Sequence, residues 1–284
     1  MCKLRDILGV AVLGALALGS AAQAQEKKWT EVKIETEGGF LPWNYTNPDG
    51  TLGGFEIDLA KDLCKRMGVK CTITAQSFDG MIPALNDGKY DAIIDDLAIT
   101  PQREKAIAFS IPYAALCYTF GTLKGSDINK ALPADDQVIS LADTEATDKA
   151  MDQVKKALKD KTIGTLAAGT SVTFVDAYLK GVALMRQYKT PDARDLDLVA
   201  GRVDAIIGSK DALLGSTAKI GQGNIALAGP CFQGGVVGRG AGVGLRKSDP
   251  ELKAMFDKAI HEAQADGTIK KLSEAIFHMD VTPR

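Results

Sequence analysis

A seven-residue pattern, identical at five positions, occurs twice in the chain. Gly88-Lys89-Tyr90-Asp91-Ala92-Ile93-Ile94 returns as Gly201-Arg202-Val203-Asp204-Ala205-Ile206-Ile207. Each copy closes an amphipathic segment and opens a short apolar run, the pattern of a helix passing into a buried strand. Helix-like and strand-like segments alternate on both sides of both copies, as they do in α/β sheets with crossover helices. The repeat therefore predicts two similar α/β lobes, and 284 residues suffice for two medium domains.

Local signals place the elements. Val32 and Ile34 alternate in a strand, and Ala60, Leu63, Cys64 and Met67 follow helical spacing up to Gly68, a suitable helix stop. Residues 71–75 read as a strand, 80–86 as a helix and 90–95 as a buried strand. Thr100-Pro101 is a helix start, because proline fits the first turn and threonine caps it. In the second half, 162–167 read as a strand, 169–171 as a turn, 172–178 as a helix, and a strand follows Val203. A polar stretch over 126–161 carries a charged helix near 148–160. A glycine-rich stretch leads into the strand Val243-Gly244-Leu245-Arg246, and two charged helices finish the chain around Asp266-Gly267-Thr268.

Lys3 and Arg5 precede an apolar run from Ile7 to about Gly19, which is followed by Ala22-Gln23-Ala24. That run is too short to cross a membrane, and the pattern is that of a secretory signal peptide cut after Ala24. The expected compartment is oxidising, which suits disulfides. Cys64 ends a helix-like segment and Cys71 opens a strand-like one, so a bridge across the turn is expected, contributing about 2.5 kcal/mol at most. Cys117 and Cys231 are either a second bridge or two buried thiols.

With 34 lysines and arginines against 36 aspartates and glutamates, no basic excess exists to collect nucleic-acid phosphates. Only two histidines, His261 and His278, are present, which argues against a histidine triad or a multi-histidine metal site. The glycine-rich stretch near 240 lacks both phosphate-loop patterns, and Ser216-Thr217-Ala218-Lys219 lacks the companion motifs of a serine acyl-enzyme. No cofactor and no metal are expected.

In open α/β sheets ligands gather where strands end and helices begin, because helix starts offer unpaired N–H groups and a positive dipole end. Two such places stand out, around Asp95 to Arg103 and around Gly169 to Ser171. Arg103 could fork onto a carboxylate or be a surface arginine paired with a nearby acid. Asp95-Asp96 could face a ligand or be solvated turn residues. Glu37-Gly38-Gly39-Phe40 and Phe78-Asp79 also end strands, and acids beside aromatic faces suit an amine or guanidinium.

The order and spacing of Gly53-Gly54-Phe55-Glu56-Ile57-Asp58-Leu59-Ala60, Cys64 and Cys71, Asp91-Ala92-Ile93-Ile94, Ile99-Thr100-Pro101 with Arg103, and Val243-Gly244-Leu245-Arg246-Lys247 resemble the family 3 periplasmic solute-binding proteins of ABC importers. The likeness covers nearly the whole mature chain. It is nearest the lysine/arginine/ornithine, histidine and octopine/nopaline binders, with Pro42-Trp43-Asn44 and the insertion before Thr162 most like the opine branch. The resemblance implies an α/β two-lobed fold joined by two crossing strands near 113–120 and 230–239. Lobe 1 would hold 25–116 and 233–284, and lobe 2 would hold 117–232. It also implies a periplasmic monomer serving a membrane permease.

Site roles follow from the same resemblance. Arg103 matches the arginine that holds the ligand's α-carboxylate, with Thr170 and Ser171 as second-lobe partners. Phe40 and Phe78 match apolar walls, with Trp43 counted beside them. Glu37 and Glu56 match acidic positions, and Cys64 with Cys71 the family disulfide. Two departures stand out: Asp95 and Asp96 replace small hydroxyl residues, with Ala98 in place of a third, and Ser209 stands where an aspartate usually meets the α-ammonium. An acid beside Arg103 competes for it, which points to a cationic amine or an opine-like conjugate. The rival readings are a carboxylate-dependent hydro-lyase resembling cyclohexadienyl dehydratase and a sensor module.

Overall fold

The computed structural model describes residues 28–134, 137–219 and 223–283; the expected signal peptide lies outside them. Two mixed sheets carry the chain. The first runs in the order Lys70–Ala75, Glu31–Thr36, Ala92–Ile93, Ala241–Leu245, Ala108–Ala114. The second runs Leu184–Tyr188, Thr162–Leu166, Ala205–Ser209, Tyr118–Leu123, Ile225–Gln233, Val138–Ser140. The chain leaves the first sheet after Ala114 and enters the second at Tyr118; it returns between Gln233 and Ala241.

The repeat has the same structural meaning in both sheets. Asp91 takes the Lys33 N–H on its Oδ2 at 3.0 Å, and Asp204 takes the Thr162 N–H on its Oδ2 at 2.8 Å. Each of these aspartates also gives its own N–H back to the same neighbour's carbonyl, at 2.9 and 2.8 Å. The following residues then pair in parallel, Ile34 with Ala92 and Ile163 with Ala205. The acid thus stitches a strand start to its neighbour, and the apolar residues after it enter the core.

The first-lobe strand is shorter than its apolar run suggests, only Ala92–Ile93, because the chain turns at the buried acids Asp95 and Asp96. The helix expected to begin at Val172 starts at Thr170, with Gly169 capping it, so the predicted turn is already helical. The charged helix begins earlier than its charges suggest, at Thr144–Leu158, because Asp143 accepts the Ala146 N–H at 3.0 Å. Gly68 ends the Phe55–Met67 helix in the left-handed conformation, φ 67°, where a Cβ is unfavourable. Thr100 caps Pro101–Ala106 by accepting the Arg103 N–H at 3.2 Å. Among the described residues no helix is long and apolar enough to cross a membrane.

Cys64 and Cys71 form a disulfide, with Cα atoms 6.1 Å apart. Cys117 and Cys231 form a second, with Cα atoms 5.3 Å apart, resolving the alternative left open by the sequence. A small three-stranded sheet of Gly39–Phe40, Asn44–Thr46 and Leu52–Gly53 carries Phe40 and Asn44 toward the cleft.

Candidate functional site

A cleft enclosing about 610 Å3 of empty space, open solvent included, lies between the sheets. Its lining includes Glu37, Phe40, Phe78, Asp95, Asp96 and Arg103 from the first lobe. Thr170, Ser171 and Ser209 line it from the second. Nine of the eleven residues singled out from sequence therefore share one cavity. Trp43 and Glu56 are not among its walls.

Their burial explains that. Trp43 is 0% exposed, packs on Phe55 and Phe277 with ring centroids 5.5 and 4.8 Å away, and donates its indole N–H to Asp211 Oδ2. Glu56, 1% exposed, lies behind the cavity. It accepts the Asp96 N–H at 2.6 Å, the Asn44 amide at 2.7 Å and the Tyr113 hydroxyl. Glu56 therefore fixes the backbone that presents Asp96.

Arg103 is held where a carboxylate could reach it. Its Nη1 donates to the Ala98 carbonyl at 3.1 Å and its Nη2 to Ala168 at 3.3 Å. The guanidinium carbon lies 5.5 Å from the Phe78 ring centroid. Phe78 is thus a platform for the arginine as well as a wall. Opposite it, the Thr170–Tyr178 helix begins in the lining, and the first N–H groups of a helix lack intrahelical acceptors.

The two neighbouring aspartates have different tasks. Asp95 Oδ1 accepts from Glu37 N at 2.7 Å, Asn44 Nδ2 at 2.9 Å and Thr36 Oγ1 at 3.1 Å. Those bonds tie it to the end of the first strand. Asp96 adopts φ 44°, a left-handed conformation that aspartate tolerates. Its Oδ2 accepts from Ser209 Oγ across the cleft at 3.2 Å, while its buried Oδ1 has no hydrogen-bond partner among the described residues.

Further contacts span the cleft. Besides the Trp43–Asp211 bond, helical Gly215 faces Leu41 and Pro42, where a Cβ would lie 2.8 Å from the Leu41 carbonyl oxygen. The lobes are therefore closed on one another. Sequence reasoning missed Tyr118, Lys189 and Arg194 in the lining, and Asn44 and Asp211 behind it.

Burial dominates the electrostatics. It pushes Glu37 up to about 8, reinforced by Asp95 and Asp79, and Glu56 up to about 8, reinforced by Asp95. Burial likewise raises Asp95 to about 6 against its hydrogen bonds and Asp211 to about 6. It holds Asp96 well above the carboxylate range, with Asp211 and Glu56 adding to it. Arg103 is pulled below its ordinary value by burial, opposed by nearby negative charge, and remains cationic.

These shifts have a defined sign. Raised carboxyl groups bind more protons folded than unfolded, so their contribution is fully present below about pH 4 and is lost as pH rises toward 8. The ligand-free protein should lose stability steadily between pH 5 and pH 8. A cationic ligand stabilises the ionised acids, so its effect should grow over the same window. Thermal unfolding with and without ligand checks this; a ligand-free Tm that climbs through that window would contradict it.

Two lobes closed over a cavity that combines a fixed guanidinium, a helix start and buried acids define a receptor that captures a small polar solute. Residues 32–279 match the bacterial extracellular solute-binding proteins, family 3, and the chain belongs to that family. It is 39% identical to the octopine-binding periplasmic protein of Rhizobium meliloti, over 99% of each chain. It is 34% identical to the lysine/arginine/ornithine-binding periplasmic protein of Escherichia coli, over 98% of each. An ancestral arginine-binding protein bound to glutamine superposes with a TM-score of 0.72 at 29% identity, covering 88% of this chain and 99% of that one. The protein is a periplasmic solute-binding component of an ABC importer, and these relatives are binding proteins.

Proposed function

We propose that the ligand is an amino-acid derivative carrying a carboxylate and cationic nitrogen, either an opine or a cationic amino acid. The carboxylate forks onto Arg103 and the start of the Thr170–Tyr178 helix. An ammonium or guanidinium meets Asp96, and Glu37 with Phe40 receives the side chain. The observation that carries this reading is Asp96 Oδ1, buried within the cavity wall and without a partner among the described residues. A buried acceptor left open is costly, and a ligand N–H relieves it. The octopine-binding relative at 39% identity supports the opine branch.

A ligand favours closure only by contacting both lobes, and Arg103, Asp96 and Thr170 provide that. The closed, monomeric complex then docks on its permease.

Calorimetry with opines, arginine, lysine and histidine tests the assignment. Asp96→Ser should weaken the preferred cationic ligand about 10- to 100-fold, the value of a charged hydrogen bond. It should also stabilise the ligand-free protein, because one of several crowded acids is gone. Unchanged affinity in that variant would remove Asp96 from the site. A similar experiment on Asp95 reads mainly folding, since Asp95 is tied to Thr36, Glu37 and Asn44.

A second reading, a carboxylate-dependent hydro-lyase, draws on Glu37, whose raised pKa keeps a proton available near neutral pH. Mass spectrometry of the ligand after incubation separates the two: a receptor returns it unchanged.

A further inference from the structure

One wall of the cavity holds a second guanidinium. Arg194 lies on the Pro191–Val199 helix of the second lobe, is 2% exposed, and lines the cavity beside Ile207, Gly208 and Ser209. Its Nε donates to Asp195 Oδ1 at 2.8 Å and its Nη1 reaches the Ile207 carbonyl at 3.5 Å. Its Nη2 is buried with no hydrogen-bond partner among the described residues.

The surrounding backbone makes room for this side chain. A Cβ on Gly164 would lie 3.1 Å from Arg194 Cγ, and one on Gly208 would lie 3.3 Å from Nη1. Glycine within a strand weakens it and commonly marks a close approach, so two strands of the second sheet give up side chains beside one arginine. Asp195 meets the charge of this guanidinium, but a buried donor left open is still costly until a partner arrives. A planar fork of this kind is suited to a carboxylate.

We propose that Arg194 anchors a second carboxylate of the ligand, which makes the site selective for N-carboxyalkyl amino acids over the parent amino acids. This rests on the reading that the cavity takes an amino-acid derivative, and it specifies which kind. Arg103 holds one carboxylate from the first lobe and Arg194 the other from the second, so one ligand ties the lobes together through two anchors. The charged groups of the lining are Glu37, Asp95 and Asp96 against Arg103, Lys189 and Arg194. Arg194 already pairs with the buried Asp195, so what it adds for a ligand is its open Nη2.

The test compares arginine, N-carboxyethyl-arginine and N-propyl-arginine, the last matching the second in size without its added carboxylate. By calorimetry the native protein should bind the carboxyethyl compound at least 30-fold more tightly than the propyl compound. Arg194→Gln should weaken the carboxyethyl compound at least 30-fold and arginine less than 3-fold. Arg194→Lys, which keeps the charge but not the fork, should fall between. The comparison among ligands needs no variant, so it stands even if the substitutions impair folding. Equal binding of the carboxyethyl and propyl compounds would overturn the role of Arg194 while leaving an amino-acid site intact. Binding of none of the three would overturn both.

Discussion

Arg103→Met should abolish high-affinity binding, raising Kd at least about 100-fold, while the fold persists. Removing one partner of a buried, hydrogen-bonded charge pair costs about 2 to 5 kcal/mol, and each 1.4 kcal/mol is tenfold in affinity. The effect should exceed a simple loss of attraction. Arg103 lowers the pKa of Asp95 in the native protein, so the variant leaves the acids with less compensation and a stronger repulsion of any carboxylate. The Ala98 and Ala168 carbonyls also lose their donor, which should reduce stability by about 1 to 2 kcal/mol. Arg103→Lys should recover little, because an ammonium can neither reach both carbonyls nor fork onto a carboxylate. Calorimetry on both variants beside thermal unfolding separates the site effect from the folding effect. Native affinity in Arg103→Met would place the ligand's carboxylate elsewhere.

The parts of this molecule legible in its sequence are those set by near neighbours. Thr100 caps its helix and Gly68 stops one because both tasks are local. The duplicated Asp-Ala-Ile-Ile places two parallel strands, because one side chain and one peptide group lock each strand start to its neighbour. The sequence leaves Asp95 and Asp96 open between ligand and solvent, since the difference depends on what covers them. In the structure a second lobe does, and Ser209 closes on Asp96. Trp43 and Glu56 lie near the site in sequence pattern, yet long-range packing turns Trp43 toward Phe277 and Glu56 toward Tyr113.

Arg194 was missed although a signal existed. Pro191, Arg194, Asp195 and Leu198 form the buried stripe of their helix, and an arginine–aspartate pair inside such a stripe is unusual for a solvent-facing segment. Of that stripe Arg194 lines the cavity, which depends on the fold around the helix and not on its sequence. Tyr118 lies within the crossing expected near residues 113–120. It lines the cavity as well, and burial raises its hydroxyl pKa.

Replacing both Cys117 and Cys231 with serine should cost about 4 to 5 kcal/mol of stability, roughly twice the loss from the Cys64 and Cys71 pair. The two bridges differ in the chain they close: 114 residues separate the first pair and 7 the second. Restriction of the unfolded chain grows with the logarithm of that length, which gives about 2.5 kcal/mol for the short loop. Position matters too. Cys117 lies on the outward crossing between sheets, and Cys231 lies in the strand that leads back, so their bond ties the two connections together. The Cys117 carbonyl also accepts the Lys210 N–H at 2.8 Å, one residue before the Asp211 that receives Trp43 across the cleft. Ligand contacts themselves lie elsewhere, on Arg103, Asp96 and the Thr170 helix start, so affinity should change only a few-fold. Denaturant unfolding of the two double variants, read beside calorimetry, checks both statements. Equal stability losses would show that loop length does not govern them. A large loss of affinity with little loss of stability would instead make the crossing bridge a determinant of closure.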